Sequence, residues 1–250
     1  MDGYKYKKAF TMAEVLITIG IIGIIAAMTI PNLMGAYRKK VVETELQRAF
    51  SIISQTIRMS EVKNESAAYW SYPTIGAGSS IAGIQQNEEF INLYIKPYIK
   101  YLKTEKETVK VYYSDGTESY YRNYINKVPQ FILADGLFLA FMPRTGDTRG
   151  YVMTVFVGTT NMRKKDEFVE GKNLFAFTVN TDEESSSKVG LEPQWYLNWS
   201  CQNLAANRRN YIDNCYKNQR ELSGIPSSIY CTYMIYCNNW TVPDDYPIKL

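Results

Sequence analysis

The chain has 250 residues with a formal net charge of +3, and it contains no histidine. The missing imidazole excludes Ser-His-Asp and Cys-His catalysis and histidine ligation of zinc by this chain. No local motif supports carboxylate-only or Ser-Lys chemistry, so we expect no enzyme, no metal site and no cofactor. No basic block is clustered enough to predict specific nucleic-acid binding. The length suffices for one membrane helix and a soluble domain of about 200 residues.

In the first thirty-one residues, a small residue lies between a basic leader and an apolar run, which is an unusual order. Three lysines, Lys5, Lys7 and Lys8, precede Ala9 and Phe10, and an apolar run follows. A secretory signal peptide places its apolar segment before the small residue at the cleavage site, and that segment is discarded. Cleavage after Ala9 would instead keep the apolar segment in the mature chain.

The stretch AFTMAEVLITIGIIGIIAAMTIP resembles the class III signal of type IV pilin-like proteins, including the pseudopilins of type II secretion. The resemblance implies that prepilin peptidase cuts between Ala9 and Phe10 and that Phe10 is N-methylated. It identifies Glu14 as the assembly glutamate and Pro31 as the helix-kinking proline. Ala9 stands where glycine is commoner in the family. The implied partners are prepilin peptidase, other pilin or pseudopilin subunits and an inner-membrane assembly platform.

The apolar run has one costly residue, Glu14. Val15 to Ile30 carries no charge but is shorter than the ~20 residues that span a bilayer, and the extension back to Phe10 includes Glu14. A carboxylate in a membrane helix costs roughly 2.5–3.5 kcal/mol at the centre and is usually functional. In a filament, Glu14 would neutralise the amine of Phe10 on a neighbouring subunit. The alternative is an uncleaved signal anchor in which Glu14 reaches the headgroups.

Membrane orientation does not follow from charge. The leader lysines on one side are balanced by Arg38, Lys39 and Lys40 on the other. The resemblance implies that the leader lies inside the cell. The chain would then be a single-pass inner-membrane protein with an extracytoplasmic head before assembly, and would form a filament in the periplasm or at the cell surface afterwards.

A long helix is predicted from about Phe10 to Ser60, roughly 75 Å at 1.5 Å per residue. Its second half carries an apolar stripe at spacings of three and four, with Glu43 and Glu45 on the polar face. The stripe consists of Val42, Leu46, Ala49, Phe50, Ile53 and Ile57. We divide the chain into a basic leader (1–9), an apolar helix half (10–33), an amphipathic helix half (34–66), a globular head (67–200) and a cysteine-containing C-terminal part of the head (201–250).

The head is predicted to be α+β, with an antiparallel sheet of about four strands packed on the second half of the long helix. Residues 71–84 are interpreted as a loop, and Asn87 as the cap of a following helix. The dipeptides Asp115-Gly116 and Asp135-Gly136 each lie between β-prone runs and predict hairpins. The segments YVMTVFVG and LFAFTV predict two further strands.

The four cysteines, Cys201, Cys215, Cys231 and Cys237, all lie in the last fifty residues. An even number in an exported domain favours two disulfides, which indicate an oxidising compartment. A zinc site is the rival interpretation, but no C-x-x-C pair is present. The intervening TYMIY is β-prone, and one extended strand would hold Cys231 and Cys237 roughly 20 Å apart. Each is therefore expected to pair with Cys201 or Cys215, in an order left open.

The head also resembles one branch of pilin-like proteins in three segments, LADG at 133–136, GKNLFAFTV at 171–179 and WTVPDDYP at 240–247. Acidic residues of the head are either calcium ligands or turn formers, and the turn interpretation is favoured because no EF-hand spacing occurs. These acids are Asp135, Asp147, Asp166, Asp244 and Asp245. Tyrosine and tryptophan clusters at 112–121 and 195–199 are either a glycan- or partner-binding surface or ordinary sheet packing.

The primary functional hypothesis is a pilin or pseudopilin, a structural subunit of a type IV pilus or a type II secretion-like filament. The alternative is a membrane-tethered extracytoplasmic binding protein or adhesin that does not polymerise. Whether a filament-forming chain is a major pilin, a minor pilin or a secretion pseudopilin stays open.

Overall fold

The computed structural model describes residues 10–74, 80–105, 108–143, 152–160, 167–180, 190–192, 200–216 and 225–250. The leader and Ala9 lie outside them.

One helix, α1, dominates the N-terminal part of the chain. It runs from Met12 to Asn64, 53 residues, which is about 80 Å at 1.5 Å per residue. Pro31 lies inside it without ending it, although proline cannot donate the helical hydrogen bond at its position. A kink at Pro31 stays a prediction.

The two halves of α1 have different surroundings. The first buried side chain is Val42, and the rest of the predicted stripe follows it into the core, with Phe50 partly buried. Glu43, which was assigned to the polar face, is in fact 7% exposed. The second half of the helix is therefore part of the head's core.

The head's first long helix, α2, spans Ile81–Tyr94. Its cap is Ser80, whose hydroxyl accepts a hydrogen bond from the Gly83 N–H at 3.1 Å. The loop prediction for 81–84 and the cap prediction for Asn87 are therefore wrong. Asn87 is buried mid-helix, where its amide donates to the Gly83 carbonyl at 2.8 Å.

An antiparallel sheet forms the centre of the head, with strand order β1-β3-β4-β5-β7-β8. A separate parallel pair joins β2 and β6. The predicted strands at 152–158 and 174–179 are β5 and β7, and they are paired along their full lengths. The strands are β1 Lys103–Glu105, β2 Lys110–Tyr112, β3 Gln130–Ile132, β4 Phe138–Pro143, β5 Val152–Gly158, β6 Glu167–Val169, β7 Leu174–Asn180 and β8 Gly190–Glu192. The sheet has six strands instead of about four. Its edge strands, β1 and β8, are only three residues long and leave no alternating pattern in the sequence.

Both predicted turns reverse the chain, but only one joins two full strands. The Asp135-Gly136 turn joins β3 to β4 as expected. Around the Asp115-Gly116 turn, the Tyr113 N–H donates to the Thr117 carbonyl and the Ser119 N–H to the Val111 carbonyl, each at 2.8 Å. The second arm of this hairpin is shorter than predicted, because helix α3 (Arg122–Ile125) follows it.

The described residues of the C-terminal part form three helices: α4 Cys201–Ala206, α5 Arg208–Tyr216 and α6 Ser227–Cys237. The strand predicted for TYMIY is wrong, because this segment lies in α6. Residues 227–235 are buried all round, so the segment lacks the polar face that marks a helix in a sequence.

Two disulfides hold these helices together. Cys201 bonds Cys237 and Cys215 bonds Cys231, with Cα atoms 5.3 and 4.8 Å apart. The prediction that Cys231 and Cys237 do not bond each other is confirmed. The predicted reason, an extended strand between them, is wrong. They are separated by about 9 Å along a helix instead of 20 Å along a strand, which still exceeds the reach of a disulfide.

Candidate functional site

The N-terminus of α1 is closed by its own glutamate. The Thr11 N–H and hydroxyl donate to Glu14 Oε2 at 2.8 and 2.9 Å, and the Glu14 N–H donates to the Thr11 hydroxyl at 3.2 Å. This capping box satisfies backbone donors that have no helical partner and places a negative charge at the positive end of the helix dipole. Glu14 is thus held in the first turn of α1 by Thr11, the residue after Phe10, and Phe10 is 86% exposed.

In the described part of the chain, no residue covers the apolar half of α1. Large apolar side chains are exposed all along it, from Phe10 to Met34. An 18-residue window has a mean hydropathy of 2.3, so by length and composition the helix can cross a membrane. Monomeric soluble proteins rarely expose so large a contiguous apolar surface. A bilayer or other subunits must cover it.

The polar groups inside this apolar surface are satisfied locally. The Thr18 hydroxyl donates to the Val15 carbonyl at 2.9 Å, and the Thr29 hydroxyl donates to the Ile25 carbonyl at 3.0 Å. Such intrahelical bonds allow threonine to lie in an apolar environment without an unpaired donor. Glu14 therefore has the only charged side chain that burial of the segment from Phe10 to Ile30 would have to accommodate.

Acidic side chains of α1 fasten the head to the helix. Glu43 accepts the Val242 N–H through Oε1 at 3.0 Å, and its Oε2 lies 3.3 Å from Lys40 Nζ. Glu45 Oε2 accepts the Thr160 N–H at 2.9 Å. These bonds reach residues far away in the sequence, so they fix the register of the head along the helix.

An aromatic cluster completes this joint. Phe50 of α1 lies 5.8 Å from Phe177 of β7 and 5.2 Å from Trp240, measured between ring centroids. Trp240 belongs to the WTVPDDYP segment. The segment that resembles pilin-like heads therefore packs directly against the long helix.

The other acidic candidates form ion pairs, are exposed, or lie outside the described residues. Asp135 Oδ2 lies 3.0 Å from Arg48 Nη1. Asp245 accepts two hydrogen bonds from Arg208, at 2.7 and 2.5 Å. Asp244 is exposed. Within the described ranges no group of three or more metal-ligating side chains occurs. Asp147 and Asp166 fall outside these ranges.

Of the two aromatic clusters, the structure describes the one at 112–121. Tyr113 and Tyr121 are buried, and Tyr120 is exposed and contacts Tyr121 edge-on. The cluster at 112–121 therefore contributes largely to the core. The tryptophans and tyrosine at 195–199 lie outside the described residues.

Sequence reasoning missed two residues of this site. Thr11 could have been found, because Thr-x-x-Glu before an apolar run is the signature of a capping box. Glu43 could not, because its partner is a backbone N–H 199 positions away.

Two family models match the chain, one on each side of Pro31. Residues 4–30 match the prokaryotic N-terminal methylation motif, and residues 32–250 match a family described as "Family of unknown function (DUF6613)". No curated protein and no solved structure matches the chain. The methylation motif covers the cap and the exposed apolar half of α1, and the second match covers the head with the helix half that it encloses. The chain is therefore a type IV pilin-like protein that belongs to the DUF6613 family.

Proposed function

We propose that this protein is a pilin or pseudopilin, a structural subunit of a type IV pilus or a type II secretion-like filament. The observation that carries the proposal is the coincidence of the methylation motif with an exposed apolar helix whose first turn holds Glu14. Prepilin peptidase cuts between Ala9 and Phe10, and Phe10 is N-methylated. The product begins one residue before the N-cap of α1.

Assembly works by charge neutralisation in an apolar core. Cleavage creates a positive amine on Phe10, and Glu14 supplies a carboxylate one turn away. In the free subunit the Thr11 donors stabilise that carboxylate. In the filament the Phe10 amine of a neighbouring subunit takes that role, so burial of the two charges is less costly together than apart.

The head supports an extracytoplasmic location. Two disulfides are typical of proteins that mature in an oxidising compartment. The subunit waits in the inner membrane with its head outside the cytoplasm. An assembly platform and other subunits then draw it into a filament in the periplasm or at the cell surface.

The direct test is mass spectrometry of the N-terminal peptide of the protein isolated from its own cells. A peptide that begins with N-methylated Phe10 is expected. A peptide that begins at Met1 would contradict processing and would leave the membrane-tethered binding protein as the function.

Replacement of Glu14 tests assembly separately from processing. We expect Glu14→Ala to remain in the membrane but to fall at least about tenfold in filaments, because an unpaired buried charge costs roughly 3–5 kcal/mol. Quantitative immunoblotting of sheared filaments and membranes measures both pools. Thr18→Ala is the matched control, since its hydroxyl bonds only within the helix. Absence of both the parent and Glu14→Ala from the filament fraction would support a tether that does not polymerise, and equal incorporation of the two would refute the role of Glu14.

A further inference from the structure

The α1 segment between the exposed apolar half and the first buried residue carries four consecutive residues suited to a membrane surface. They are Tyr37, Arg38, Lys39 and Lys40, here named the basic girdle. We propose that the basic girdle binds anionic phospholipid headgroups at the outer face of the inner membrane. This inference rests on the membrane orientation in the proposed function.

The spacing along α1 places the basic girdle at headgroup depth. A hydrocarbon core of about 30 Å takes roughly 20 helical residues, and counting from Val15, just after Glu14, brings its far edge to Met34. Tyr37 then lies about 4.5 Å beyond that edge and the basic residues about 6–9 Å beyond it. The headgroup layer occupies roughly 5–7 Å on each side of the core.

The exposure of the side chains fits this depth. Tyr37 is 61% exposed and the Lys40 side chain 76%, whereas Arg38 and Lys39 are half-buried where the head begins. Three consecutive helical residues point about 100° apart, so the positive charges surround more than half of the helix. Tyrosine and long basic side chains favour this interface because their apolar parts lie against lipid and their polar ends reach water.

Of the described acids, Glu43 forms an ion pair with the basic girdle, whose three basic side chains outnumber it. Glu43 shares its carboxylate between Lys40 and the Val242 N–H, and Asp245 is paired with Arg208. Asp244, two positions after Val242, is exposed. A basic cluster on the outer side also runs against the positive-inside rule, so membrane insertion does not explain it. A negatively charged lipid surface is the partner that complements it.

The test measures lipid selectivity in reconstituted membranes. Full-length protein is placed in phosphatidylcholine vesicles with a trace of spin-labelled phosphatidylglycerol or spin-labelled phosphatidylcholine. Electron paramagnetic resonance then gives the fraction of each label that is immobilised at the protein. We expect a preference for phosphatidylglycerol, and a fall of about fivefold in that preference in Lys39→Gln/Lys40→Gln.

Two further variants make the result specific. Arg58→Gln/Lys63→Gln removes the same charge from the same helix, but its first position is about 27 Å beyond Lys40, and it should keep the parent preference. Lys39→Arg/Lys40→Arg should also keep it, because the charge is retained. The leader lysines are identical in every sample, so differences between samples come from the substitutions.

An unchanged preference in Lys39→Gln/Lys40→Gln would overturn the inference, as would an equal loss in Arg58→Gln/Lys63→Gln. Flotation of the parent protein with pure phosphatidylcholine vesicles tests the anchor itself. Failure to float would refute the membrane stage of the proposed function, whereas flotation without anionic preference refutes the basic girdle alone.

Discussion

Glu170 is a fully buried acid at the N-terminus of α6. It accepts hydrogen bonds from the Ser119 hydroxyl at 2.5 Å and from the Ser228 N–H at 2.9 Å. Burial raises the pKa of Glu170 above its usual 4.5, and the bonds from Ser119 and Ser228 oppose the rise. This one side chain therefore ties the segment after β2, the turn after β6 and α6 together.

The raised pKa of Glu170 makes stability depend on pH. The folded state binds the proton more tightly than the unfolded state, so the free energy of unfolding is highest below pH 4.5 as far as this group is concerned. That contribution is lost as the pH rises from there through the folded pKa. Urea denaturation across this range should show a slope that Glu170→Gln removes. Glu167→Gln, on half-exposed β6, is the control and should keep it; a slope unchanged in Glu170→Gln would contradict the assignment.

Gly171 is required by its surroundings as well as by its backbone. Its φ is +74°, and an added Cβ would lie 2.4 Å from Cys231 Sγ and 2.5 Å from Ile248 Cδ1. We expect Gly171→Ala to lower the free energy of unfolding by about 2–5 kcal/mol, from backbone strain and overpacking together.

Gly116→Ala separates these two causes. Gly116 has a similar φ of +84°, but nothing lies within 4 Å of an added Cβ. Its cost should therefore be the backbone strain alone, about 1–2 kcal/mol. Chemical denaturation of both variants gives the comparison, and equal losses would show that the contact with the disulfide does not matter.

Among the elements, α1 serves two environments with one continuous helix. Its first half leaves its large apolar side chains to a bilayer or to other subunits, and its second half places Leu46 and Ile53 in the core at 0% exposure. Leu46→Ala should cost about 2–5 kcal/mol of unfolding free energy. Gln47→Ala, exposed on the same turn, should change it by less than about 0.5 kcal/mol. Thermal or chemical unfolding in detergent measures both, and a small effect at Leu46 would mean that the head folds without the helix.

For the whole molecule, burial predicts where the chain tolerates truncation. No described side chain before Gly35 is buried, so a chain that starts at Gly35 should be soluble and retain the melting temperature of the head to within a few degrees. A chain that starts at Glu65 loses the whole buried stripe. The loss of unfolding free energy, about 2–5 kcal/mol for each large residue, then exceeds the total stability of an ordinary domain. Circular dichroism melts of both chains test this, and a folded chain from Glu65 would contradict it.

The features predicted correctly from the sequence are those that depend on interactions between neighbouring residues. The long helix, its buried stripe, the Asp135-Gly136 hairpin and strands β5 and β7 were predicted correctly, because each depends on periodicity or on a turn dipeptide. The cap at Asn87 was wrong because the stronger local cap, Ser80, lay within a segment interpreted as a loop.

The sequence by itself determined the apolar helix and the place of Glu14 in its first turn, because charge, hydropathy and capping act over a few neighbouring residues. Only the tertiary structure decided that TYMIY is helical, that Cys201 pairs with Cys237, and that Glu43 and Glu170 are buried acceptors. Each of these features depends on partners that are distant in the chain. The type and spacing of a residue do not identify the distant donor, sulfur or ring that contacts it in the folded core.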